Sequence, residues 1–154
     1  MANNAGIIGC GYYVPERIVS NYEIARRFEI TENWIEERTG IRERRKAGND
    51  IGTSELAIKA ANAAMRKANI LPEEIDLIIV ATTTPDMLFP STACLVQIKI
   101  GACNAAAFDI SAACTGFIYG LDIAVSLVSS GQHQKILLIG ADTLSRITND
   151  NDLD

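Results

Sequence analysis

A chain of 154 residues in which 48% are hydrophobic is long and apolar enough for one domain with a buried core. Its formal net charge of −5 argues against a nucleic-acid-binding protein defined by overall charge. The longest apolar stretch, residues 117–128, contains Asp122 and falls short of the roughly 20 residues that cross a bilayer. We therefore expect neither nucleic acid nor a membrane among the partners.

The four cysteines give a second constraint. Cys10, Cys94, Cys103 and Cys114 show no Cys-x-x-Cys spacing, and no secretory signal precedes the first predicted strand. This pattern fits a reduced, cytosolic protein better than a disulfide scaffold. It also predicts no metal site.

The amino-terminal segment is predicted to be a strand. Residues 5–14 are apolar and Gly-rich and are followed by Pro15, which indicates a buried strand and then a turn. The glycines of this segment do not form G-x-G-x-x-G, and no helix follows at once, so a dinucleotide site is not expected.

Two short capped helices are predicted next. The first covers residues 21–28 after Ser20 or Asn21, and the second covers residues 32–38 after Thr31. On the second helix Trp34 and Arg38 are four residues apart and share a face. Their indole and guanidinium groups could hold a flat aromatic group such as adenine, although a surface Trp shielded by an Arg is the commoner arrangement.

A basic cluster, residues 42–46, follows in this acidic chain. Its arginines could bind phosphate or an acidic carrier protein. The alternative is a solvated charged surface without a partner.

From residue 53 onward, helices and strands alternate, which predicts an α/β fold with a mainly parallel sheet and helices on both faces. The polar loop 82–90, which follows the apolar run 77–81, is a candidate ligand site, because ligands bind at strand ends in open α/β sheets. The predicted elements are an Ala-rich helix 53–68, a strand 76–84 with an apolar core at 77–81, a helix 91–100, a strand 105–110, a helix 115–130 and a strand 135–141.

The segment from Asp109 to Phe117 contains the nucleophile candidate, Cys114, where a strand ends and a helix begins. Unpaired backbone N–H groups and the helix dipole at such a position favour the thiolate over the thiol. The alternative is a buried cysteine that acts as a small hydrophobic residue. The position of Cys114 alone does not decide between a nucleophile and a buried structural cysteine.

The helix after Cys114 is apolar on nearly every face, which predicts a place in the protein interior. His133, the single histidine, follows this helix and lies about 27 Å from Cys114 along it. We therefore expect His133 to be a surface turn residue and not the partner of the thiol.

Four segments resemble β-ketoacyl-acyl-carrier-protein synthase III, the initiating condensing enzyme of type II fatty acid synthesis. The resemblance covers nearly the whole chain, in order and with similar spacing. The segments are Thr39-Gly40-Ile41-Arg42-Glu43-Arg44-Arg45, Val80-Ala81-Thr82-Thr83-Thr84, Phe89-Pro90-Ser91 and Ala112-Ala113-Cys114-Thr115-Gly116-Phe117.

This resemblance implies a thiolase-like fold, in which two similar α/β halves pack as αβαβα layers with the nucleophile helix in the centre. Residues 1–154 would form the N-terminal half, with a mainly parallel mixed sheet and helices on both faces. The second half, which supplies a histidine and an asparagine for decarboxylation, is absent from this sequence. We expect the native protein to continue past Asp154, or a separate chain to supply that half.

The resemblance also implies an activity. Cys114 would take an acyl group from acyl-coenzyme A and condense it with malonyl-acyl-carrier protein, with loss of carbon dioxide and no cofactor. The Cys114 N–H would supply one oxyanion-hole donor. The other implied site residues are Trp34 and Arg38 at the adenine of coenzyme A, Phe89 in the partner's acyl pocket of a homodimer, and Thr83 and Leu144 near the pocket.

One departure from the family pattern concerns coenzyme A. Family members commonly carry Asp-Arg where this chain has Asp152-Leu153, so an arginine contact is missing. The alternatives are a secondary-metabolism or 3-hydroxy-3-methylglutaryl-coenzyme A synthase-like condensing enzyme, and a non-catalytic, truncated module for dimerisation or carrier binding.

Overall fold

A computed structural model describes residues 4–152 of the chain, so Leu153 lies outside the described residues. The contacts divide these residues into two compact units. The hairpin unit comprises residues 14–50 and 143–152, and the sheet unit comprises residues 4–13 and 51–142. None of the helices within residues 4–152 has the length and apolar character that a membrane span requires.

The hairpin unit contains two short strands that the sequence did not predict. Strands β1 (Ile18–Ser20) and β2 (Glu43–Arg45) pair antiparallel, with helices α1 (Asn21–Phe28) and α2 (Glu32–Thr39) between them in the chain. Each strand has only three residues and β2 is entirely charged, so neither carries an apolar alternation.

Both helices of the hairpin unit have the caps expected from the sequence. The Glu23 N–H donates to the Ser20 hydroxyl at 3.2 Å, and the Trp34 N–H donates to the Thr31 hydroxyl at 3.1 Å. These bonds satisfy donors that a helix N-terminus otherwise leaves unpaired.

The sheet unit follows the predicted alternation of helices and strands. Its elements are α3 (Thr53–Ala68), β3 (Leu77–Ala81), α4 (Thr92–Ile100), β4 (Ala106–Ile110), α5 (Gly116–Ser129) and β5 (Ile136–Gly140).

The three strands of the sheet unit are parallel and lie in the order β4-β3-β5. Every residue of the central strand β3 is buried, as its continuous apolar run predicts. Leu77 lies opposite Ala106 and Ile136, and Ala81 lies opposite Ile110 and Gly140, so the strands end at the same level.

Helices cover both faces of this sheet. On one face Ile78, Val80 and Ile139 join the core formed with α3 and α4. Alternate strand residues point the other way, and there Ala81 and Leu138 lie against Gly116 and Gly120 of α5. The α/β prediction with helices on both faces is therefore confirmed.

Helix α5 begins and ends within one residue of the predicted bounds, 115–130, and is apolar as predicted, but residues 4–152 leave its outer face exposed. Only Gly116 and Gly120 of this helix are buried. Phe117, Ile118 and Tyr119 are 47%, 62% and 55% exposed, because no described residue packs on the outer face of the helix.

The predicted buried strand over residues 5–14 was also wrong. No strand is formed there, and most of the segment is exposed. The strands β3, β4 and β5 pair with one another, and residues 9–13 instead lie along α3. A Cβ at Gly11 would come within 2.3 Å of the Ala64 nitrogen, which shows how closely the two backbones approach. The Lys59 ammonium also donates to the Tyr13 hydroxyl at 2.9 Å.

Candidate active site

Most of the polar residues that the sequence assigns to a site in the sheet unit lie at the carboxyl end of its sheet. The loop with Thr82 and Thr83 leaves β3 there, the segment to Cys114 leaves β4, and Asp142 follows β5. In open α/β sheets this is the edge at which ligands bind.

Cys114 lies on a 3₁₀ turn, Ala113–Thr115, which leads directly into α5. The Thr115 N–H and hydroxyl both donate to the Ala112 carbonyl, at 3.2 and 2.8 Å, and fix the turn. Cys114 is exposed. The nucleophile candidate is therefore accessible and precedes the first residue of α5 by two positions, close to the helix N-terminus that the sequence predicts.

Two small residues allow this turn to sit on the sheet. A Cβ at Gly116 would lie 3.2 Å from the Ala81 Cβ, so any larger side chain would press against the end of β3. Ala113 adopts a left-handed conformation with φ 46°, which is costly for side chains branched at Cβ. The Ala-Cys-Thr-Gly sequence thus meets the steric demands of the turn.

No backbone carbonyl outside the 3₁₀ turn accepts a hydrogen bond from the Cys114 N–H among residues 4–152. The first turn of α5 contains no acidic residue. The start of α5 beside Cys114 therefore carries no negative charge from the first turn of the helix, whose N–H groups form the positive end of the helix dipole.

Asp142 was missed by the sequence analysis and organises the polar loop after β3. Its Oδ1 accepts four hydrogen bonds, from the Thr83 N–H at 2.8 Å and from the hydroxyls of Thr83, Thr84 and Thr82 at 2.9, 3.1 and 3.2 Å. Burial opposes ionisation of this carboxyl group, but the four hydrogen bonds outweigh burial and hold the pKa of Asp142 below its usual value.

Two further aspartates cap helices at the same edge of the sheet. Asp86 accepts from the N–H and hydroxyl of Ser54 at the start of α3, at 2.9 and 3.1 Å. Asp109 accepts from the N–H groups of Thr92 and Ala93 at the start of α4, both at 2.7 Å. Each carboxylate sits on the positive end of a helix dipole, where it stabilises the fold.

The structure places Thr83 and Phe89 on the same loop, with different surroundings. Thr83 is exposed, but its hydroxyl proton is used by Asp142, so that the hydroxyl can only accept a hydrogen bond from a ligand. Phe89 is 84% exposed and its neighbour Leu88 is 89% exposed. The loop therefore presents an uncovered apolar tip.

The remaining predicted site residues lie in the hairpin unit. Arg38 stacks directly on Trp34, with the guanidinium carbon 4.1 Å from the centre of the ring. The two side chains are thus in direct contact on one face of α2. Leu144 begins a 3₁₀ turn, Leu144–Arg146, and is 54% exposed.

The basic cluster of residues 42–46 makes contacts within the hairpin unit, so the solvated-surface alternative is only partly right. Arg44 donates to the Asn21 side chain at 2.9 Å and to the Val19 carbonyl at 3.3 Å. The other contacts are Arg42 with Glu36, Arg45 with the Pro15 carbonyl and Lys46 with Asp150.

His133 lies before β5, at the amino end of the sheet. Its Nδ1 is 3.2 Å from Asp76 Oδ1, and Asp76 Oδ2 also accepts from the Gln134 N–H at 2.7 Å. The histidine is thus part of a turn and not of the Cys114 segment. Within residues 4–152, no cluster of three or more His, Cys, Asp or Glu side chains could hold a metal ion.

Comparison with known proteins gives a consistent relationship. The family profile of 3-oxoacyl-[acyl-carrier-protein (ACP)] synthase III matches residues 108–154, which include Cys114. A β-ketoacyl-[acyl-carrier-protein] synthase III from Caldanaerobacter subterraneus subsp. tengcongensis is 54% identical over 145 residues, which are 94% of this chain and 44% of the relative.

Solved structures show the same relationship. The 3-oxoacyl-[acyl-carrier-protein] synthase III of Aquifex aeolicus VF5 matches with a TM-score of 0.92 and 48% identity, over 96% of this chain and 47% of its own. The priming β-ketosynthase of the R1128 polyketide biosynthetic pathway matches with a TM-score of 0.95 and 36% identity, over 99% of this chain and 46% of its own.

The chain spans about half the length of the relatives that it matches. Over that half, the chain is close to 50% identical in sequence to these relatives, and its backbone follows that of the Aquifex structure. The chain belongs to the β-ketoacyl-[acyl-carrier-protein] synthase III family, and it carries the N-terminal half of the thiolase-like fold.

Proposed function

We propose that this chain is the nucleophile-bearing half of a cytosolic acyltransferase that begins fatty acid synthesis. The observation that carries the proposal is the exposed Cys114 on the turn before α5, at the carboxyl end of a parallel sheet. The names of the relatives supply the substrate class, an acyl group carried to an acyl-carrier protein.

In the proposed first step, the Cys114 thiolate attacks the carbonyl carbon of acyl-coenzyme A. The carbonyl oxygen gains negative charge, which the Cys114 N–H stabilises, and the coenzyme A thiolate leaves and takes a proton. The enzyme then holds the acyl group as a thioester.

In the second step, malonyl-acyl-carrier protein loses carbon dioxide, and the resulting carbanion attacks the Cys114 thioester. A carbon–carbon bond forms and the Cys114 thiolate is released. The resemblance places the histidine and asparagine that would promote decarboxylation in the second half. His133 is not a substitute for that histidine, because it is held by Asp76 at the opposite end of the sheet from Cys114. We therefore assign acyl transfer, and not complete condensation, to this half.

Isotope transfer tests the first step. The complete natural polypeptide is incubated with [1-¹⁴C]acetyl-coenzyme A, digested, and searched for the labelled peptide. We expect label on Cys114 and its release on addition of malonyl-acyl-carrier protein. The Cys103→Ala variant is the matched control, because it removes another exposed thiol and should keep the label. Label that persists in Cys114→Ala, or no label in the wild type, would overturn the proposal.

Coenzyme A recognition is proposed for Trp34 and Arg38. An adenine ring could stack on the outer side of the guanidinium or displace it from the indole, because the two groups are now 4.1 Å apart. Trp34→Ala should raise KM for acetyl-coenzyme A by roughly tenfold at unchanged kcat. Tyr22→Ala, which removes another arginine-stacked ring, is the control and should leave KM unchanged.

A homodimer is proposed from the exposed tip formed by Leu88 and Phe89, with Phe89 entering the acyl pocket of the partner. The exposure of both side chains supports this, since large apolar groups are rarely left in water together. Replacement of Phe89 by Asp should shift the complete polypeptide from dimer to monomer in sedimentation experiments. Lys67→Asp, on the exposed surface of α3, is the control and should leave the dimer intact.

A second candidate function is the priming of polyketide synthesis. It is favoured by the TM-score of 0.95 to a priming β-ketosynthase, although the identity to that protein is only 36%. Assays with acyl-carrier proteins of fatty acid and of polyketide synthesis would separate the two.

A further inference from the structure

The hydrogen bonds of Asp142 link the ends of two neighbouring strands. Asp142 follows β5, whereas Thr82, Thr83 and Thr84 follow β3, and four hydrogen bonds of 2.8–3.2 Å converge on one carboxylate oxygen. Thr82 and Thr84 are only 5% and 9% exposed. Thr83 and Asp142 are exposed, so the link lies at the surface of the sheet end and is anchored there by two buried threonines.

The same strand end forms the support for Cys114. The Thr82 N–H donates to the Ile110 carbonyl at 3.1 Å, and Ile110 is the last residue of β4 before the segment that leads to Cys114. Ala81 lies under Gly116, the first residue of α5, with only 3.2 Å available to a Cβ there. A shift of Thr82 would move both ends of the turn that presents the thiol.

We propose that Asp142 is a positioning residue for Cys114. It holds the end of β3 so that the Thr82–Ile110 hydrogen bond and the Ala81–Gly116 contact fix the Cys114 amide and sulfur in the geometry required for acyl transfer. The inference rests on the proposed function, since it assigns Asp142 a role through the nucleophile. Asp142 itself needs no contact with the substrate.

Asp76 provides a matched control at the other end of the same strands. It precedes β3 and accepts hydrogen bonds from the N–H groups of Gln134 and Lys135, which precede β5, at 2.7 and 3.3 Å. Both carboxylates therefore tie β3 to β5. Only Asp142 lies at the end of the sheet where Cys114 is presented.

The test compares Asp142→Asn with Asp76→Asn in the complete natural polypeptide, at a temperature where circular dichroism shows both to be folded. Acylation of Cys114 by acetyl-coenzyme A is measured by rapid quench. We expect the acylation rate to fall roughly 10- to 100-fold in Asp142→Asn, with KM nearly unchanged, because displaced reacting groups lose rate more than binding. Asp76→Asn should stay within about twofold of the wild type.

A second measurement does not depend on the acyl substrate. Alkylation of Cys114 by iodoacetamide is followed by peptide mass spectrometry, with exposed Cys10 and Cys103 as internal references. We expect Asp142→Asn to slow alkylation of Cys114 alone. If the wild type takes no acetyl label but this selective effect is seen, the proposed function fails and the positioning role stands.

The variants of Thr82 keep the inference testable if Asp142→Asn does not fold. Thr82→Val has nearly the same shape but lacks the hydroxyl that donates to Asp142, whereas Thr82→Ser keeps it. Acylation should fall in the valine variant and recover in the serine variant. Equal losses in Asp142→Asn and Asp76→Asn, or equal rates in the two Thr82 variants, would overturn the proposal.

Discussion

The amino and carboxyl ends of the three-stranded sheet each hold a carboxylate that ties β3 to β5. At the amino end Asp76 binds Gln134, Lys135 and His133 in a turn. At the carboxyl end Asp142 binds three consecutive threonines beside the segment that presents Cys114. Both carboxylates thus tie the same two strands, one in a turn and the other beside the segment that carries Cys114, the proposed nucleophile.

This difference follows from the direction of the chain. In a parallel sheet every strand delivers its next loop to the carboxyl end, so loops with Thr83, Phe89 and Cys114 collect there. Helices α3 and α4 begin at that end, and their N-termini are occupied by Asp86 and Asp109. Thr115, which precedes α5, makes no side-chain cap hydrogen bond, and the first turn of α5 contains no acidic residue.

The largest effect is expected when the thiol at the carboxyl end of the sheet, and not the one at the amino end, is replaced by a hydroxyl. Cys103 precedes β4 at the amino end and Cys114 follows β4 at the carboxyl end, and both are exposed. Cys114→Ser should lower condensation kcat/KM by on the order of 10³ or more, since a serine hydroxyl is a much weaker nucleophile than a cysteine thiol. Cys103→Ser should have wild-type activity in the same steady-state assay. Comparable losses would remove the functional distinction between the two ends.

A smaller effect is expected from the packing beneath α5. Gly116→Val should destabilise the protein by about 1–3 kcal/mol, because its Cβ would meet the Ala81 Cβ at 3.2 Å on a rigid strand. Chemical denaturation measures the loss. Gly6→Val is the control, since nothing lies within 4 Å of a Cβ at that position. Full stability of Gly116→Val would show that the carboxyl end is loosely packed.

The charge of Asp142 should give a pH-dependent effect on stability. Its folded-state pKa lies below the unfolded value of about 3.9, so the ionised carboxylate stabilises the fold above roughly pH 4 and this contribution is lost as the pH falls further. Asp142→Asn should therefore unfold at a lower temperature than the wild type at pH 7, with a cost of about 1 kcal/mol or less after solvent screening.

Thermal unfolding at several pH values measures this contribution. The difference in unfolding temperature between the wild type and Asp142→Asn should narrow below about pH 4. The difference in unfolding temperature between the wild type and Gly116→Val should not narrow, because a steric clash does not depend on pH. A constant difference for Asp142→Asn across the pH range would contradict the role of its charge.

The smallest effect is expected at the amino end. His133→Gln keeps a polar side chain in the turn beside Asp76 and should leave both acylation and condensation unchanged. Acylation and condensation are measured side by side for the variant and the wild type. Loss of activity would place a functional group at the amino end and remove the contrast between the two ends.

The sequence was sufficient for those parts of the fold that depend on local patterns. The apolar run Leu77–Ala81 predicts the buried strand β3, and the hydroxyls of Ser20 and Thr31 predict the starts of α1 and α2. The turn at Cys114 was also located, because small residues separate a strand from a long apolar helix. In each case the information lies within a few residues of the element that it specifies.

The errors arose where structure depends on distant partners. Residues 5–14 have the composition of a buried strand, but β3, β4 and β5 pair with one another and leave this segment against α3. Asp142 was missed because its threonine partners lie about 60 residues earlier in the chain, and the run Thr82–Thr84 was the available signal.

The left-handed backbone at Ala113 limits what can precede the sulfur in the sequence. Its φ of 46° costs an L-amino acid roughly 1–2 kcal/mol and is worse for branched side chains. A saturation library at position 113 should therefore return glycine, asparagine and aspartate as folded substitutes for alanine, and should be depleted of valine, isoleucine and threonine. The backbone conformation at Ala113 thus limits the residue before Cys114 to small or turn-forming types.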